Sequence, residues 1–350
     1  MDKKCKVLHI ITSLAVAGAE KVLLDLCKYK DSDNFEYFVA GLNDWDYLLD
    51  EFKQYTTYST SIGMGKDIGS FIKAIKELDE IIKKYDIKIL HAHMQHPLLI
   101  AYVLKLKNRD LKIVHTSHNE NLGSKFWELF TQGLKRFRDE DVIFSEEMRS
   151  KFYLDSAKVI PNGIYIDKYR VDIKKEDKFT LLSIGILREQ KNQKFLIQNV
   201  KKLIDDGLDL VIWIVGNGPL EDELKELIKK EGVEAYVKML GLRDDIPTLL
   251  NKAHVLVMPS FYEGLPITIL EAGAAKLPII ATNVGVIKSV VQDDGYITDI
   301  DNFLDAIKNV YEDYDLAKEK ANRLYKRIVE KYSIESMARS HEKIYKSLCF

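Results

Sequence analysis

Short apolar segments alternate with amphipathic segments along almost the whole chain. The apolar segments are rich in β-branched residues and have the length of buried strands. The segments between them carry apolar residues at helical spacing, as Phe71, Ile75, Leu78 and Ile82 do. This alternation is typical of parallel sheets with crossover helices. The strands predicted in the first half are KVLHIIT, EYFVAGL, KILHAH, KIVHTS and DVIFS.

A polar, charged segment at 172–178 interrupts the alternation, and a second series follows it. The strands predicted there are FTLLSIG, DLVIWIVG, VKMLG, HVLVMPS and PIIATN. We therefore predict an α/β protein of two doubly wound, Rossmann-like parallel-sheet domains, residues 1–170 and 171–333, facing a central cleft that binds the ligand. Residues 334–350 have no strand after them, so we predict a helix that packs back on the first domain.

Composition limits the classes of protein that fit this pattern. The chain has 350 residues, of which 46% are hydrophobic, and this length favours two domains. Its 52 basic and 54 acidic residues give a formal net charge of −2, so the basic excess of a nucleic-acid-binding protein is missing and no nucleic-acid partner is expected. No uncharged apolar segment reaches the ~18 residues that span a bilayer. Any membrane contact is therefore expected to be peripheral.

The three cysteines, Cys5, Cys27 and Cys349, are far apart and lack metal-ligand spacing. We therefore predict neither a disulfide framework nor a zinc site, and a reducing cytoplasm fits best. The basic residues at the start of the chain and the apolar run ending in AVAG also resemble a short signal peptide. We favour a buried first strand over that alternative.

The segment EGLPITILE places Glu263 and Glu271 eight positions apart, where a predicted strand gives way to a helix. Gly264 admits close approach of a ligand, and Pro266 suits the first helical turn, so free amides point towards an anion. Because the helix is apolar on nearly every face, Glu271 needs partners or a polar ligand such as the vicinal hydroxyls of a ribose. The structural interpretation is that Glu271 forms an ion pair within the protein and that Glu263 is a solvated loop residue. From the residues alone, this interpretation and the ligand-binding one are equally supported.

The phrase EGLPITILEA resembles the E-x7-E element of the retaining glycosyltransferases of family 4, which have the GT-B fold and use nucleotide-sugar donors. The resemblance implies that Glu271 holds the donor ribose and that Glu263 contacts the donor sugar. It also implies substrate contacts for Gly264 and Leu265. Other segments of the chain resemble further elements of the family, in the family's order, and the resemblance extends over essentially the whole chain.

Two of these elements concern the donor phosphates. TSLAVAGAEKVLLDL resembles the family's Gly-Gly-x-Glu loop and assigns a phosphate contact to Gly18, although Ala17 stands where the first glycine is usual. SIGILREQKNQ resembles the segment whose cations neutralise the leaving diphosphate. Lys191 matches it directly, whereas Arg188 is a replacement for an arginine whose usual place is taken by Ile186. Simple solvent exposure is the alternative for Arg188.

Two further loops are implied to flank the donor nucleotide. VGNGPLEDEL supplies Gly216 and Asn217, and it lacks the third glycine of a dinucleotide-binding fingerprint. LGLRDDIPTLL resembles the segment around the base, which backbone groups of Leu242 and Arg243 would read.

Five histidines, His91, His93, His96, His115 and His118, occur in LHAHMQHP and VHTSHNEN. H-x-H on a strand points two side chains to one face but fixes no third ligand, so we predict no metal. The resemblance assigns the contact with the transferred sugar to His118, with His115 as second choice. Core packing is the alternative for His91 and His93. The strings DWD at 44–46 and DID at 299–301 are short enough to arise by chance, so we assign them no metal.

The segment KFWELFTQGLKRFR, residues 125–138, predicts a helix with an apolar face and a basic border. Core packing explains such a face in most proteins, while a lipid-linked acceptor would require a surface of this kind. Peripheral membrane contact through this segment is therefore a hypothesis. The apolar face comprises Phe126, Leu129, Phe130, Leu134 and Phe137; the border comprises Lys125, Lys135, Arg136 and Arg138, with Trp127 near the edge.

The resemblance predicts a retaining hexosyl- or N-acetylhexosaminyltransferase. Its donor would be a nucleoside diphosphate sugar, with UDP favoured, and its acceptor a glycan or a lipid-linked molecule in polysaccharide, capsule or lipopolysaccharide biosynthesis. The nucleotide sugar is a substrate, and neither a cofactor nor a metal is expected. A nucleotide-sugar epimerase of the same fold and a non-catalytic sugar-nucleotide-binding protein are the alternatives. We expect a cytoplasmic protein that can work at the inner face of the cytoplasmic membrane.

Overall fold

The computed structural model describes residues 4–15, 18–29, 33–117, 125–263 and 266–349. The chain forms two compact units, 1–163 with 334–350 and 164–333. The boundary falls before Ile164 rather than after residue 170, because Ile164 pairs with Ser333 and its amide donates to the Tyr332 carbonyl oxygen at 2.9 Å. Tyr169 is likewise buried in the core of the second unit.

The first unit is built on a parallel sheet of seven strands. Their order across the sheet is β3-β2-β1-β4-β5-β6-β7, which reverses beside β1 as in a doubly wound fold. The five strands predicted for this half are present. The two edge strands were not predicted, because YSTS and KV have no apolar run. In chain order the strands are β1 (Cys5–Ile11), β2 (Phe35–Gly41), β3 (Tyr58–Ser61), β4 (Ile89–His93), β5 (Lys112–Thr116), β6 (Glu140–Ile143) and β7 (Lys158–Val159).

Crossover helices connect these strands. The longest is amphipathic, and its start is fixed by Asp67, whose carboxylate accepts a hydrogen bond from the Ser70 amide at 2.9 Å. It ends at Asp86 in the left-handed conformation. The helices of this half are α1 (Gly18–Lys28), α2 (Leu49–Tyr55), α3 (Ile68–Tyr85), α4 (Gln95–Lys107) and α5 (Lys125–Gly133).

The second unit has a parallel sheet of six strands in the order β10-β9-β8-β11-β12-β13. Its five predicted strands are present, and only the short edge strand β13 was not predicted. The strands are β8 (Phe179–Ile184), β9 (Leu210–Val215), β10 (Val237–Gly241), β11 (Val255–Met258), β12 (Ile279–Thr282) and β13 (Tyr296–Thr298). The helices are α6 (Gln193–Asp205), α7 (Glu221–Glu231), α8 (Ile246–Lys252), α9 (Ile267–Ala274), α10 (Ile287–Val291), α11 (Phe303–Glu312) and α12 (Tyr314–Tyr332).

The last helix, α13 (Ile334–Cys349), belongs to the first unit and packs on α1, β1 and β4. The hydroxyl of its buried Tyr345 lies 2.7 Å from His91 Nδ1. Its last residue, Cys349, forms a disulfide with Cys5, with the Cα atoms 6.1 Å apart. The prediction that the cysteines form no disulfide is therefore wrong. Cysteines 344 positions apart meet because the helix returns to the first strand, a proximity that sequence spacing does not reveal.

Candidate active site

The loops that follow β8 and β11 lie side by side, because these two parallel strands are neighbours in the second sheet. Several hydrogen bonds between described residues join the loops. The Phe261 amide donates to the Gln190 carbonyl oxygen at 2.9 Å, and the Gln190 side chain donates to the Tyr262 carbonyl oxygen at 2.9 Å. The Asn192 side chain donates to the Pro259 carbonyl oxygen at 3.1 Å. The two loops therefore form one continuous edge.

Lys191 and Glu263 meet at this edge as an ion pair, with Nζ 2.6 Å from Oε1. The side chains are only 16% and 5% exposed, so the solvated loop position considered for Glu263 does not occur. A Cβ atom at residue 185 would lie 3.1 Å from the Lys191 Cε atom, so Gly185 leaves just enough room for the lysine stem. A buried carboxylate requires such a partner.

Glu271 lies within α9, as predicted, and its partner is Tyr169, whose hydroxyl donates to Oε1 at 2.7 Å. Burial raises the pKa of the Glu271 carboxyl, and the Tyr169 hydrogen bond and the nearby Lys168 charge oppose that rise. A neutral hydroxyl therefore holds a carboxylate that has further acceptor capacity for a ligand. Tyr169 was missed from the sequence, because it lies in a short 3₁₀ turn about a hundred residues before Glu271.

The loop after β9 approaches the loop after β8 backbone to backbone. A Cβ atom at Gly216, where φ is +134°, would lie 2.0 Å from the Gly185 carbonyl oxygen. A Cβ atom at Gly218 would lie 2.5 Å from the Leu187 carbonyl oxygen. Both positions therefore require glycine for steric reasons. Asn217 between them is exposed, and its carbonyl oxygen accepts from the Leu187 amide at 2.9 Å.

The loop after β10 continues the same edge, because the Gly216 amide donates to the Gly241 carbonyl oxygen at 2.8 Å. Leu242 is 75% exposed, and the exposed Arg243 forms a bidentate ion pair with Asp245 at 2.7 and 2.8 Å. The residues predicted to flank the nucleotide, Gly216 and Asn217 together with Leu242 and Arg243, thus lie on adjacent loops.

Arg188, unlike Lys191, is exposed to solvent. It lies at the start of the 3₁₀ turn Glu189–Lys191 and is exposed, as in the alternative considered from the sequence. Ile186, which takes the usual arginine position, is 41% exposed. Neither side chain belongs to the buried pair.

In the first unit, Gly18 begins α1 and is exposed. Among the described residues, no atom outside its chain neighbours and its own helix backbone lies within 4 Å of the position a Cβ would take. The loop before it is closed by Ser13, whose hydroxyl donates to the buried Glu20 carboxylate at 2.6 Å. Glu20 was not singled out from the sequence, although it occupies the glutamate position of the Gly-Gly-x-Glu loop. His118, Gly264 and Leu265 lie outside the described residues, so their assignments stay predictions.

Comparison with known proteins identifies the class of enzyme. The model of Glycosyltransferase Family 4 matches residues 16–168, and the model of glycosyl transferases group 1 matches residues 166–331. Together the two models cover nearly the whole chain. The chain is a family 4 glycosyltransferase. The predicted family, fold and enzyme class are thereby confirmed.

Similar proteins agree with this assignment. An Escherichia coli enzyme named UDP-Gal:α-D-GlcNAc-diphosphoundecaprenol α-1,3-galactosyltransferase is 29% identical to the glycosyltransferase, over 89% of each chain. A glycosyltransferase structure from Rickettsia africae superimposes with a TM-score of 0.84 at 20% identity, covering 99% of this chain and 98% of that one. The Anabaena protein HepE in complex with UDP gives 0.80 at 19% identity, covering 98% and 100%. These structural neighbours show the GT-B fold.

A cluster of buried histidines lies on the first sheet of the glycosyltransferase. His9 Nδ1 is 3.0 Å from His93 Nε2, and one ligand atom from each of His9, His91 and His93 lies within 4.8 Å of the others. The two nitrogens of His91 are bonded to Tyr345 and Thr116, each at 2.7 Å. Core packing, the alternative considered for His91 and His93, therefore describes their surroundings. His9 was missed because it reads as one more residue of a buried strand.

His115 is completely buried, so the second choice for the sugar contact lies in the core. Its Nδ1 atom is 3.2 Å from Asp141 Oδ1, and Arg138 reaches the same oxygen at 2.9 Å. Arg138 also donates to the carbonyl oxygens of Thr131 and Phe152, at 3.1 and 2.7 Å. The placement of Arg138 in an exposed basic border is therefore wrong. The helix ends at Gly133, so the helical spacing used for that prediction does not continue to residue 138.

Most of the described apolar face of 125–138 is directed inward. Phe130, Leu134 and Phe137 pack against the core of the first unit, while Leu129 is 69% exposed. Trp127 packs edge-on against His96, with the ring centroids 4.7 Å apart. Among the described residues no helix is both long and apolar enough to cross a membrane. Core packing therefore accounts for these three inward residues of the predicted apolar face.

Proposed function

We propose that this glycosyltransferase is a retaining hexosyl- or N-acetylhexosaminyltransferase that uses a UDP-sugar. The observation that carries the proposal is the Lys191–Glu263 ion pair, in which solvent reaches little of either side chain. Glu271, in the helix that follows in sequence, is held by a tyrosine hydroxyl. A nucleoside diphosphate sugar needs a cation for its diphosphate, and it needs hydrogen-bond acceptors for the hydroxyls of its sugar and its ribose. The lysine and the two carboxylates can supply these groups. The UDP complex of HepE and the UDP-Gal donor in the name of the E. coli relative favour uridine.

In this proposal each candidate residue has one role. Glu271 accepts hydrogen bonds from the ribose hydroxyls, while backbone groups of Leu242 and Arg243 read the base beside Gly216 and Asn217. Lys191 neutralises the diphosphate, and the exposed Arg188 adds a second charge when donor is bound. Glu263 orients the sugar, assisted by Gly264, Leu265 and His118, and Gly18 borders the phosphates.

The chemistry that follows is substitution with retained configuration. The bond from the anomeric carbon to the diphosphate breaks, and both bonding electrons leave with the phosphate oxygen, whose charge Lys191 stabilises. The acceptor hydroxyl attacks the same face of the oxocarbenium-like sugar, and its proton passes to the departing phosphate oxygen. Because Lys191 and the amides at the start of α9 supply the positive charge, we propose that no metal takes part.

We further propose that the acceptor is a glycan or a lipid-linked sugar of cell-surface polysaccharide biosynthesis. The named acceptor of the E. coli relative, a GlcNAc-diphosphoundecaprenol, supports this class. A lipid-linked acceptor would bring the enzyme to the inner face of the cytoplasmic membrane. Within 125–138, Leu129 offers an exposed apolar contact, and flotation with anionic liposomes at low and physiological salt tests whether the segment binds there.

The experiment that tests the function incubates the enzyme with UDP-sugars, with and without GlcNAc-diphosphate-lipid acceptors, in buffer containing EDTA. Acceptor-dependent release of UDP and a product with the donor's anomeric configuration by NMR are expected. Conversion of the donor without acceptor would instead establish an epimerase, and donor binding without conversion would establish a sugar-nucleotide-binding protein. Activity that requires an added divalent cation would contradict the metal-free step.

A further inference from the structure

Two aromatic side chains project from the loop that follows β2. Trp45 is 63% exposed and Tyr47 is 77% exposed, while the next residue, Leu48, is buried. Large aromatic side chains usually bury most of their surface, so two neighbouring exposed rings indicate an interaction surface. The same loop contains the DWD string, Asp44 to Asp46, which was assigned no role from its sequence pattern.

The backbone under these rings is fixed. The Leu14 amide donates to the Trp45 carbonyl oxygen at 2.7 Å, and the Leu48 amide donates to the Leu14 carbonyl oxygen at 2.9 Å. The Asn43 side chain accepts from the Trp45 amide at 3.1 Å. Rings on an ordered backbone lose little conformational entropy when they bind a ligand.

These bonds also fix where the rings lie. Leu14 belongs to the loop between β1 and α1 that leads to Gly18, so Trp45 adjoins the segment assigned above to the donor phosphates. Both loops leave the carboxyl ends of neighbouring parallel strands, the edge at which doubly wound sheets bind ligands. A ligand of the first unit is therefore expected at this edge.

The chemistry of the loop favours a sugar over a phosphate or a lipid headgroup. Each sugar ring has apolar C–H faces that stack on aromatic rings, and hydroxyl groups that donate to carboxylates. Asp44 and Asp46 flank Trp45 and are both exposed, so they can accept such bonds. Two carboxylates beside the rings also make this loop a poor binding site for a phosphate group itself, so the loop is assigned to the sugar ring of the acceptor and not to its diphosphate.

We propose that residues 44–47, termed the acceptor platform, bind a neutral sugar ring of the acceptor through Trp45 and Tyr47, with Asp44 and Asp46 accepting hydrogen bonds from its hydroxyls. This inference rests on the proposed function, since it assigns the acceptor of that same reaction. It gives the DWD string a role in sugar binding instead of metal binding.

The test uses two soluble probes, GlcNAc-α-diphosphate carrying either a methyl or an undecyl group. Binding to the UDP-loaded enzyme is measured by saturation-transfer NMR on the sugar protons, and transfer is measured separately by release of UDP. The variants are Trp45→Ala and Tyr47→Ala. The matched control is Tyr55→Ala, because Tyr55 is 44% exposed but ends α2, and so lies at the opposite edge of the sheet.

Both variants should raise the dissociation constant of each probe, and the acceptor KM, about tenfold. Tyr55→Ala should leave the dissociation constants of both probes and the acceptor KM unchanged. The inference is overturned if the wild-type enzyme binds neither probe, or if the variants bind both probes as tightly as wild type does. It is also overturned if the variants weaken binding of the undecyl probe alone, because the surface would then be a lipid site. Platform-dependent binding without any transfer would support the platform and refute the proposed function.

Discussion

The ammonium group of Lys191 lies 2.6 Å from a carboxylate oxygen of Glu263, and solvent reaches little of either side chain. Removing one member of a buried pair leaves the other charge without a partner, which costs far more than the pair itself contributes. The pair is therefore important for the folding of the second unit as well as for the proposed reaction, and variants must separate the two effects.

We expect Lys191→Ala to lower the free energy of unfolding by about 3 kcal/mol and the rate of transfer at least ~100-fold. The matched control is Lys194→Ala. Lys194 lies in the first turn of α6, close to Lys191 in sequence, and its exposed ion pair with Glu223 of α7 should contribute little to stability. The double variant Lys191→Met with Glu263→Gln should recover most of the stability and none of the activity. Urea denaturation and UDP release measure the two effects, and equal losses in Lys191→Ala and Lys194→Ala would refute a special role for the pair.

A second prediction concerns the hydroxyl that holds Glu271. Tyr169→Phe keeps the ring but removes the hydrogen bond, so we expect donor affinity to fall about tenfold at neutral pH. Burial already raises the pKa of the Glu271 carboxyl, and loss of the bond raises it further. Because the ribose contact needs the carboxylate, affinity should fall as the pH drops, and in Tyr169→Phe that fall should begin at a higher pH.

Calorimetric titration with UDP between acidic and neutral pH measures this change. Glu271→Gln is the control, since it removes the titrating group and with it this part of the pH dependence. If wild type and Tyr169→Phe give superimposable profiles, Tyr169 does not position Glu271.

The buried histidines of the first unit predict sensitivity to acid. Burial, with the nearby His341 charge, lowers the pKa of His9 to about 3, and burial lowers the pKa of His341 to about 4. In the unfolded chain both groups take up a proton below about pH 6.5. The contribution of these two histidines to stability should therefore be constant above that pH and fall below it, by up to ~1.4 kcal/mol per pH unit for each histidine until the folded pKa is reached.

Denaturation curves at a series of pH values test this prediction. His9→Asn should be less stable at neutral pH but should show a shallower loss in acid, because one titrating group has been removed. His96→Asn, at an exposed position, should keep the wild-type slope. A wild-type stability that does not change between neutral and mildly acidic pH would contradict the neutral buried cluster.

The disulfide between Cys5 and Cys349 predicts a definite thiol count. The sequence has three cysteines, and Cys27 is the buried free thiol. The denatured protein should therefore show one reactive thiol before reduction and three after it. Cys349→Ser should lower the unfolding free energy of the first unit by about 2 to 4 kcal/mol. Three thiols before reduction would mean that the two ends are held by packing alone.

Much of this fold could be predicted from the sequence, because runs such as DLVIWIVG are apolar at almost every position, as strands buried on both faces must be. The short edge strands β3, β7 and β13 escaped prediction, since an edge strand needs little apolar surface. The disulfide also escaped, because it depends on the direction in which α13 returns.

The candidate site, like the fold, could be predicted from the sequence only in part. Lys191, Glu263 and Glu271 could be singled out because each lies in a contiguous motif, and their roles in donor binding stay predictions. Tyr169 and Glu20 were not found, since their roles come from contacts made by the folded chain. Arg138 was misplaced because the periodicity of a helix was extended past the residue at which the helix ends.

The pairing of Ile164 with Ser333 means that the second unit begins and ends at one place. The uridine-binding half proposed here is thus an insertion within the first unit, and two adjacent cuts would free it in one piece. Gene fusion between relatives could exchange that piece while leaving the first unit's sequence whole. Removing the residues after 333 would instead damage the first unit, because it takes away α13. That helix supplies the hydrogen-bond partners of Tyr37 and His91 and the disulfide partner of Cys5 in the first strand.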